Sequence, residues 1–156
     1  MCDTQLMTDD RMADIYAAVR LGGANREAAR QALQLLWDQL GPAGEPLYRS
    51  VVAHHLADVQ DTPEGALFWD TRALDSAFVP GVPLGEGLLG FLPSLYLSLA
   101  DSHRLVGDFD EARMQLALAR GHANVLADDA YGRVIRAGVD HVATLLEAQS
   151  TERVAC

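Results

Sequence analysis

The most suggestive chemistry in the chain is a short run of imidazoles and carboxylates: His54, His55, Asp58 and Asp61. Imidazole nitrogens and carboxylate oxygens are the donor atoms of zinc and related cation sites. If the stretch is helical, His54 and Asp58 stand four apart and share a face, and His55 and Asp58 stand three apart. Two such ligands begin a metal site, which His103 or Asp101 could complete from elsewhere in the chain. The spacing is not that of a His-Glu-x-x-His helix, and no cysteine lies near. The competing reading is a packed His54 with solvated neighbours. It carries more weight, and no metal or other cofactor is expected.

Other constellations are weaker. The run Pro80-Gly-Val-Pro-Leu-Gly-Glu-Gly-Leu-Leu-Gly90 invites a phosphate-loop reading, but it lacks the Gly-Lys-Ser/Thr ending and carries a glutamate that would repel phosphate. No Gly-x-Ser-x-Gly elbow occurs, and His122 and His141 have no partner nucleophile in view. The pairs Asp9-Asp10 and Asp128-Asp129 fall where helices should start, and the helix dipole accounts for acidic residues there. Nothing in the sequence assembles a catalytic set, so no enzymatic activity is expected.

The elements that must position these residues are helices almost throughout. Ala and Leu dominate, and the apolar spacing is helical. Start and stop signals predict seven. The first runs from about Asp9 to Leu21, capped by Thr8 and stopped by Gly22-Gly23. The second follows Asn25 and ends before Gly41-Pro42. The third runs from Pro46 to near Gln60. The fourth has Thr62 as cap and Pro63 in its first turn, and reaches about Ala77. A Gly/Pro-rich loop is expected over Phe78–Gly90, then a fifth helix from Pro93 to Val106. Asp108-Phe-Asp-Glu111 is a capping box that opens a sixth helix reaching about Leu126. The seventh spans Asp129 to about Ala148. Its expected apolar face is Tyr131, Val134, Ile135, Val139, Val142, Leu145 and Leu146.

The 156 residues, 49% hydrophobic, are enough for one packed domain over 1–156 without staples. A formal charge of −10 and a pI near 4.7 disfavour nucleic acid and anionic membranes as partners. No stretch approaches the ~18 apolar residues of a membrane span. MCDTQLMTDD has neither the basic start nor the apolar run of a signal peptide. Cys2 and Cys156 read as free thiols of a reducing compartment, so a cytoplasmic protein is expected.

Within this helical chain a repeat stands out. Tyr96, Leu99, Ala100, Gly107, Asp108-Phe109, Ala112, Leu116 and Ala119 resemble the tetratricopeptide repeat, which sets an aromatic, a leucine, a small residue, a turn glycine and two further alanines at these spacings. Small residues let two antiparallel helices approach, and large ones fill the groove beside them. A weaker copy has Ala66 and Ala73 in the small positions, with His54 where a small residue is normal and Asp70 where a bulky one is normal. A third is inferred around Ala28. Ala28, Ala66 and Ala112 lie further apart than the about 34 residues of a standard repeat, so the excess must lie in loops. The resemblance implies an all-α stack of about three hairpins, over about 8–41, 46–77 and 91–126. A capping helix over 128–148 and a fraying tail over 149–156 complete it. The whole chain is similar to small tetratricopeptide proteins of actinobacterial type.

In that family the first helices of successive hairpins line a right-handed stack's concave groove. Carried onto this sequence, the lining is Ser94, Leu97, Asp101, Arg104 and Leu105; Tyr48, Val51, His55, Asp58 and Val59; and Asp10, Ala13, Ala17, Arg20 and Leu21. No lysine or asparagine falls there, so the carboxylate clamp of chaperone-binding members is not implied. The resemblance implies instead an interaction module for a protein segment or peptide, with self-pairing into a homodimer as a further partner. Tyr48, His55, Asp58, Leu97, Asp101 and Arg104 are the expected binding residues, and Arg104 and Tyr48 the expected anchors, dispensable for folding. The alternative is a small-molecule- or metal-responsive regulator with its site near His54, His55, Asp58 and His103. Trp37, Phe68 and Trp69 are expected to be core.

Overall fold

A computed structural model describes residues 3–153, with side chains from Arg11 onward. Its described residues form seven α-helices and one short 3-10 turn, without strands. They are α1 (Asp3–Leu21), α2 (Arg26–Leu40), α3 (Pro46–Asp58), α4 (Pro63–Ala77), α5 (Glu86–Leu105), α6 (Phe109–His122) and α7 (Ala130–Glu147). Successive helices pair as hairpins, α1 with α2, α3 with α4 and α5 with α6. Between hairpins, α1 meets α3, α3 meets α5 and α5 meets α7, while α2 meets α3 and α4 meets α5. The molecule is therefore two-layered. An inner row of α1, α3, α5 and α7 is backed by α2, α4 and α6.

Local chemistry explains the helix boundaries. Asn25, Thr62, Asp108 and Asp129 each accept the backbone N–H three residues on with the side-chain oxygen. The α5–α6 turn passes through Gly107 at φ +85°, a conformation glycine adopts without strain. Arg30 donates to the carbonyl of Val59 at 2.7 Å and meets Asp61 at 2.9 Å. Arg26 donates to the carbonyl of Gln60. Two cations of α2 thus sit at the carbonyl end of α3, where the helix dipole favours them.

Small residues hold the layers together. Ala100, Ala112 and Ala119 are fully buried, as the repeat pattern requires, and so are Ala53 and Ala73. On α2 the buried set is Ala29, Leu33 and Leu36, which matches Ala112, Leu116 and Ala119 of α6 in spacing. The equivalent alanine is therefore Ala29 and not Ala28. All three second helices then place it four residues after the N-cap.

Several expected boundaries move. Thr8 lies inside α1, which begins at Asp3. Helix α5 begins at Glu86, not Pro93, so only residues 78–85 form the loop. Leu88, Leu92 and Leu95 are buried at helical spacing, and that burial extends the helix through Pro93 despite the hydrogen bond the proline cannot make. Helix α6 ends at His122, and Ala123–Val125 is a 3-10 turn. On α7 the buried stripe is Ile135, Val139, Val142 and Leu146, whereas Tyr131 and Val134 face outward.

Candidate functional site

The inner row leaves a pocket of about 430 Å³ between α3, α5 and α7, floored by α4. Each helix brings its residues by simple periodicity. On α5, Leu97, Asp101 and Leu105 recur every four residues and form one stripe. On α3, Asp58 stands at the last position. On α4, Ala66 and Asp70 are four apart, and α7 adds Gly138, His141 and Val142. The close approach of α7 depends on Gly138, where an added Cβ would stand 2.8 Å from Leu97 Cδ2. Arg153, beyond α7, closes the rim.

Asp58, Asp70 and Asp101 make this an acidic pocket with apolar walls. Asp70 is the unusual one, 5% exposed on a face where the repeat pattern wants a bulky apolar group. Its Oδ2 accepts the Ser102 hydroxyl at 2.6 Å. Burial pushes its pKa up to about 7, and the nearby charges of Asp58 and Asp101 push the same way against the Ser102 hydrogen bond. His54 Nδ1 lies 3.9 Å from Asp70 Oδ1, too far for a hydrogen bond, and has no other partner. Burial pushes His54 down to about 4, so the imidazole is neutral at pH 7. Its ring meets Phe91 and His55 edge-on at 5.3 and 5.1 Å.

The expected binding residues separate into groups. Asp58, Leu97 and Asp101 come together in the acidic pocket. His55 and Asp58 face a neighbouring pocket of about 310 Å³ between α1, α2 and α3. Tyr48 is half-buried, packed against the apolar cluster of Ile15, Leu33 and Val52, and does not line the acidic pocket. Arg104 differs most from expectation: it is 0% exposed. Its Nε donates to Asp101 at 2.7 Å, and its Nη1 donates to the carbonyls of Ser150 and Glu152 at 2.8 and 2.9 Å. It cannot be a free anchor that folding ignores, because its charge is enclosed and compensated inside the protein. The Asp10 side chain, Cys2 and Cys156 lie outside the described residues.

The metal reading gains part of its donor set. One ligand-capable atom each from His54, His55 and Asp58 lie within 4.8 Å of one another. His103 is not in that group and faces Asp108, with 3.6 Å between Nδ1 and Oδ2. Asp61 is engaged by Arg30. Among the aromatics, Trp37 and Trp69 are partly buried against each other at 5.3 Å, while Phe68 is exposed under the Arg72 guanidinium.

Sequence reasoning passed over Asp70, His141 and Arg153 as pocket residues. Asp70 carried a signal, a charge in an apolar register; Arg153 carried none. No family model, curated protein or solved structure matches the chain.

Proposed function

We propose that this chain is a non-catalytic binding module of the cytoplasm, working as a short tetratricopeptide-like array. It takes a cation-bearing segment of a partner protein in the pocket between α3, α5 and α7. One observation carries the reading: carboxylates from three helices, Asp58, Asp70 and Asp101, converge on apolar walls made by Leu97, Leu105 and Val142. Such a site suits a lysine, arginine or amino terminus with an apolar stem, because the stem covers carbon while the head pairs with carboxylate. The chain's overall negative charge steers the same class of partner.

The test is capture of partners from source cells on immobilised wild-type chain, then affinity measurement with Asp58→Asn/Asp101→Asn. The expected result is a loss of at least tenfold in affinity, with wild-type binding weakening steeply as salt rises. Equal affinity of both proteins for the captured partner would remove the pocket from consideration.

A second reading, regulation by a divalent metal, is supported by the His54, His55 and Asp58 group. It ranks below the first for a geometric reason. The described group supplies three donors within 4.8 Å of one another, and neither His103, which faces Asp108, nor Asp61, which Arg30 engages, joins them to complete a four-ligand site. Calorimetric titration of the chain with Zn2+ distinguishes the two, since His55→Ala removes metal binding and leaves the acidic pocket intact.

A further inference from the structure

Three aromatic rings form a chain across α2 and α4. Trp37 meets Trp69 edge-on at 5.3 Å, and Trp69 meets Phe68 edge-on at 5.4 Å. An arginine covers each end. Arg49 Cζ stands 4.1 Å over the Trp37 ring, and Arg72 Cζ stands 3.8 Å over Phe68 and 5.9 Å from Trp69. Both arginines line one cavity of about 410 Å³, together with Trp37, Asp38, Gly41 and Pro42. It lies on the other side of α4 from the acidic pocket, because Asp70 and Arg72 are two residues apart, roughly 200° around a helix.

Neither cation is neutralised. The chain has 22 carboxylates against 12 basic residues, all of them arginine. Arg30, Arg104, Arg113 and Arg133 each take a carboxylate partner. Among the described residues Arg49 and Arg72 take none, although Asp75 stands three residues after Arg72 on the same helix. Arg49 donates one N–H to the Gly41 carbonyl, and Arg72 has no hydrogen-bond partner among the described residues. A guanidinium over a ring uses its face there and keeps the N–H groups of its edge free to donate. Burial lowers the pKa of Arg49 from the usual arginine value, so its charge is partly stripped of water with no anion in exchange.

We propose that this cavity binds a small monocarboxylic acid with an aryl body, at a site separate from the acidic pocket. The carboxylate takes the free N–H edges of Arg72 and Arg49, and the aryl body packs beside Trp37 and Pro42. A planar carboxylate matches the guanidinium fork. The charge count favours it over phosphate. Asp38, held by Gln34 Nε2 at 3.1 Å, also lines the cavity, so two arginines against one aspartate leave a single net positive charge. A monoanion neutralises that charge, whereas a phosphate dianion would leave the site negative in a chain already at −10. The volume falls within the usual small-molecule range of about 300–1,000 Å³.

The chain's two tryptophans both belong to the ring chain, so intrinsic fluorescence reports on the site. The full chain is titrated with phenylacetate, with its uncharged counterpart phenylacetamide, and with inorganic phosphate. The expected result is a saturable change in tryptophan emission with phenylacetate, at a Kd of about 1 mM, and binding of the other two weaker by about tenfold or more. Arg72→Gln, at an exposed position with no hydrogen bond to lose, should keep the melting temperature and weaken phenylacetate by about tenfold. Arg72→Lys should weaken it by about fivefold, because an ammonium keeps the charge without the fork. Asp58→Asn/Asp101→Asn should leave it unchanged. No saturable change up to about 50 mM, or wild-type affinity in Arg72→Gln, would overturn the site. Phosphate or phenylacetamide binding as tightly as phenylacetate would overturn the carboxylate assignment. The same carboxylate could arrive on a partner's glutamate, and tighter binding of N-acetylglutamate methylamide than of phenylacetate would overturn the small aryl acid as its source.

Discussion

Asp70→Asn should make the protein more stable in neutral and alkaline solution while weakening its binding of cations. The unfolded chain ionises Asp70 near 3.8, whereas the folded protein holds the proton to about 7. The raised folded pKa means that stability is highest below the unfolded value, declines as pH rises between the two, and stays lower above about 7. Each pH unit between the two values is worth about 1.4 kcal/mol, so the whole window approaches ~4 kcal/mol as an upper bound. Asparagine does not ionise, its carbonyl can still accept the Ser102 hydroxyl, and its amide can donate toward the orphan Nδ1 of His54. The expected gain at pH 8 is about 1–3 kcal/mol, shrinking toward zero near pH 4. His54 has the opposite slope. Held neutral down to about 4 in the folded state, it costs stability as pH falls from 6.5, equally in both proteins. Urea unfolding of both proteins from pH 4.5 to 8.5 measures the difference. A stability difference that does not change with pH, or a loss at pH 8, would refute the account of Asp70 as a carboxylate held against its own ionisation.

Other outcomes follow from the packing. Ala112→Leu should cost roughly 1–3 kcal/mol by overpacking the α5–α6 seam where Ala112 is fully buried, and an unchanged melting temperature would mean the seam is misplaced. Gly132→Ala should be worse, because its Cβ would stand 2.1 Å from the Ala127 carbonyl oxygen; a melting temperature within a degree of wild type would contradict that contact. Arg104→Ala should destabilise by about 2–4 kcal/mol and speed amide exchange in residues 149–153, since it deletes bonds to Asp101, Ser150 and Glu152. Native exchange rates in that variant would mean that Arg104 does not hold the segment.

The helices were legible because their signals are local. Caps at Asn25, Thr62, Asp108 and Asp129 act within three residues, and the alanine spacing of one hairpin suffices to describe its seam. The start of α5 was hidden because glycine and proline argue for a loop, whereas Leu88 and Leu92 are drawn into helix by partners distant in sequence. The pocket was half legible for the same reason. Asp58, Leu97 and Asp101 follow from repeat positions on the inner row, but Arg153 comes from outside the repeat. Arg104 shows the limit most clearly. Periodicity placed it on the inner row, and only the returning segment, which no periodicity describes, turns that surface position into a buried one.

The stack of helical hairpins departs from its own packing pattern around one place. The α5–α6 seam has alanines where the packing wants them and buries them fully. On the α3–α4–α5 side, Asp70 takes a bulky position, His54 takes a small one, and Arg104 lies under the strained turn at Gln149. His54 Nδ1 and Arg104 Nη2 are buried without hydrogen-bond partners, as are His103 Nδ1 and Gln115 Oε1 outside the pocket lining, an arrangement that costs free energy and that apolar residues would avoid. Stability alone gives no reason for three such departures to meet at the margin of one pocket. A site that must hold carboxylates ready for an incoming cation does, because the ligand's charge and acceptors would compensate what the free protein leaves unpaired. The same residues that weaken the empty fold would then strengthen the complex. A substitution such as Asp70→Asn should accordingly move stability and affinity in opposite directions, which a residue with a purely structural role would not do.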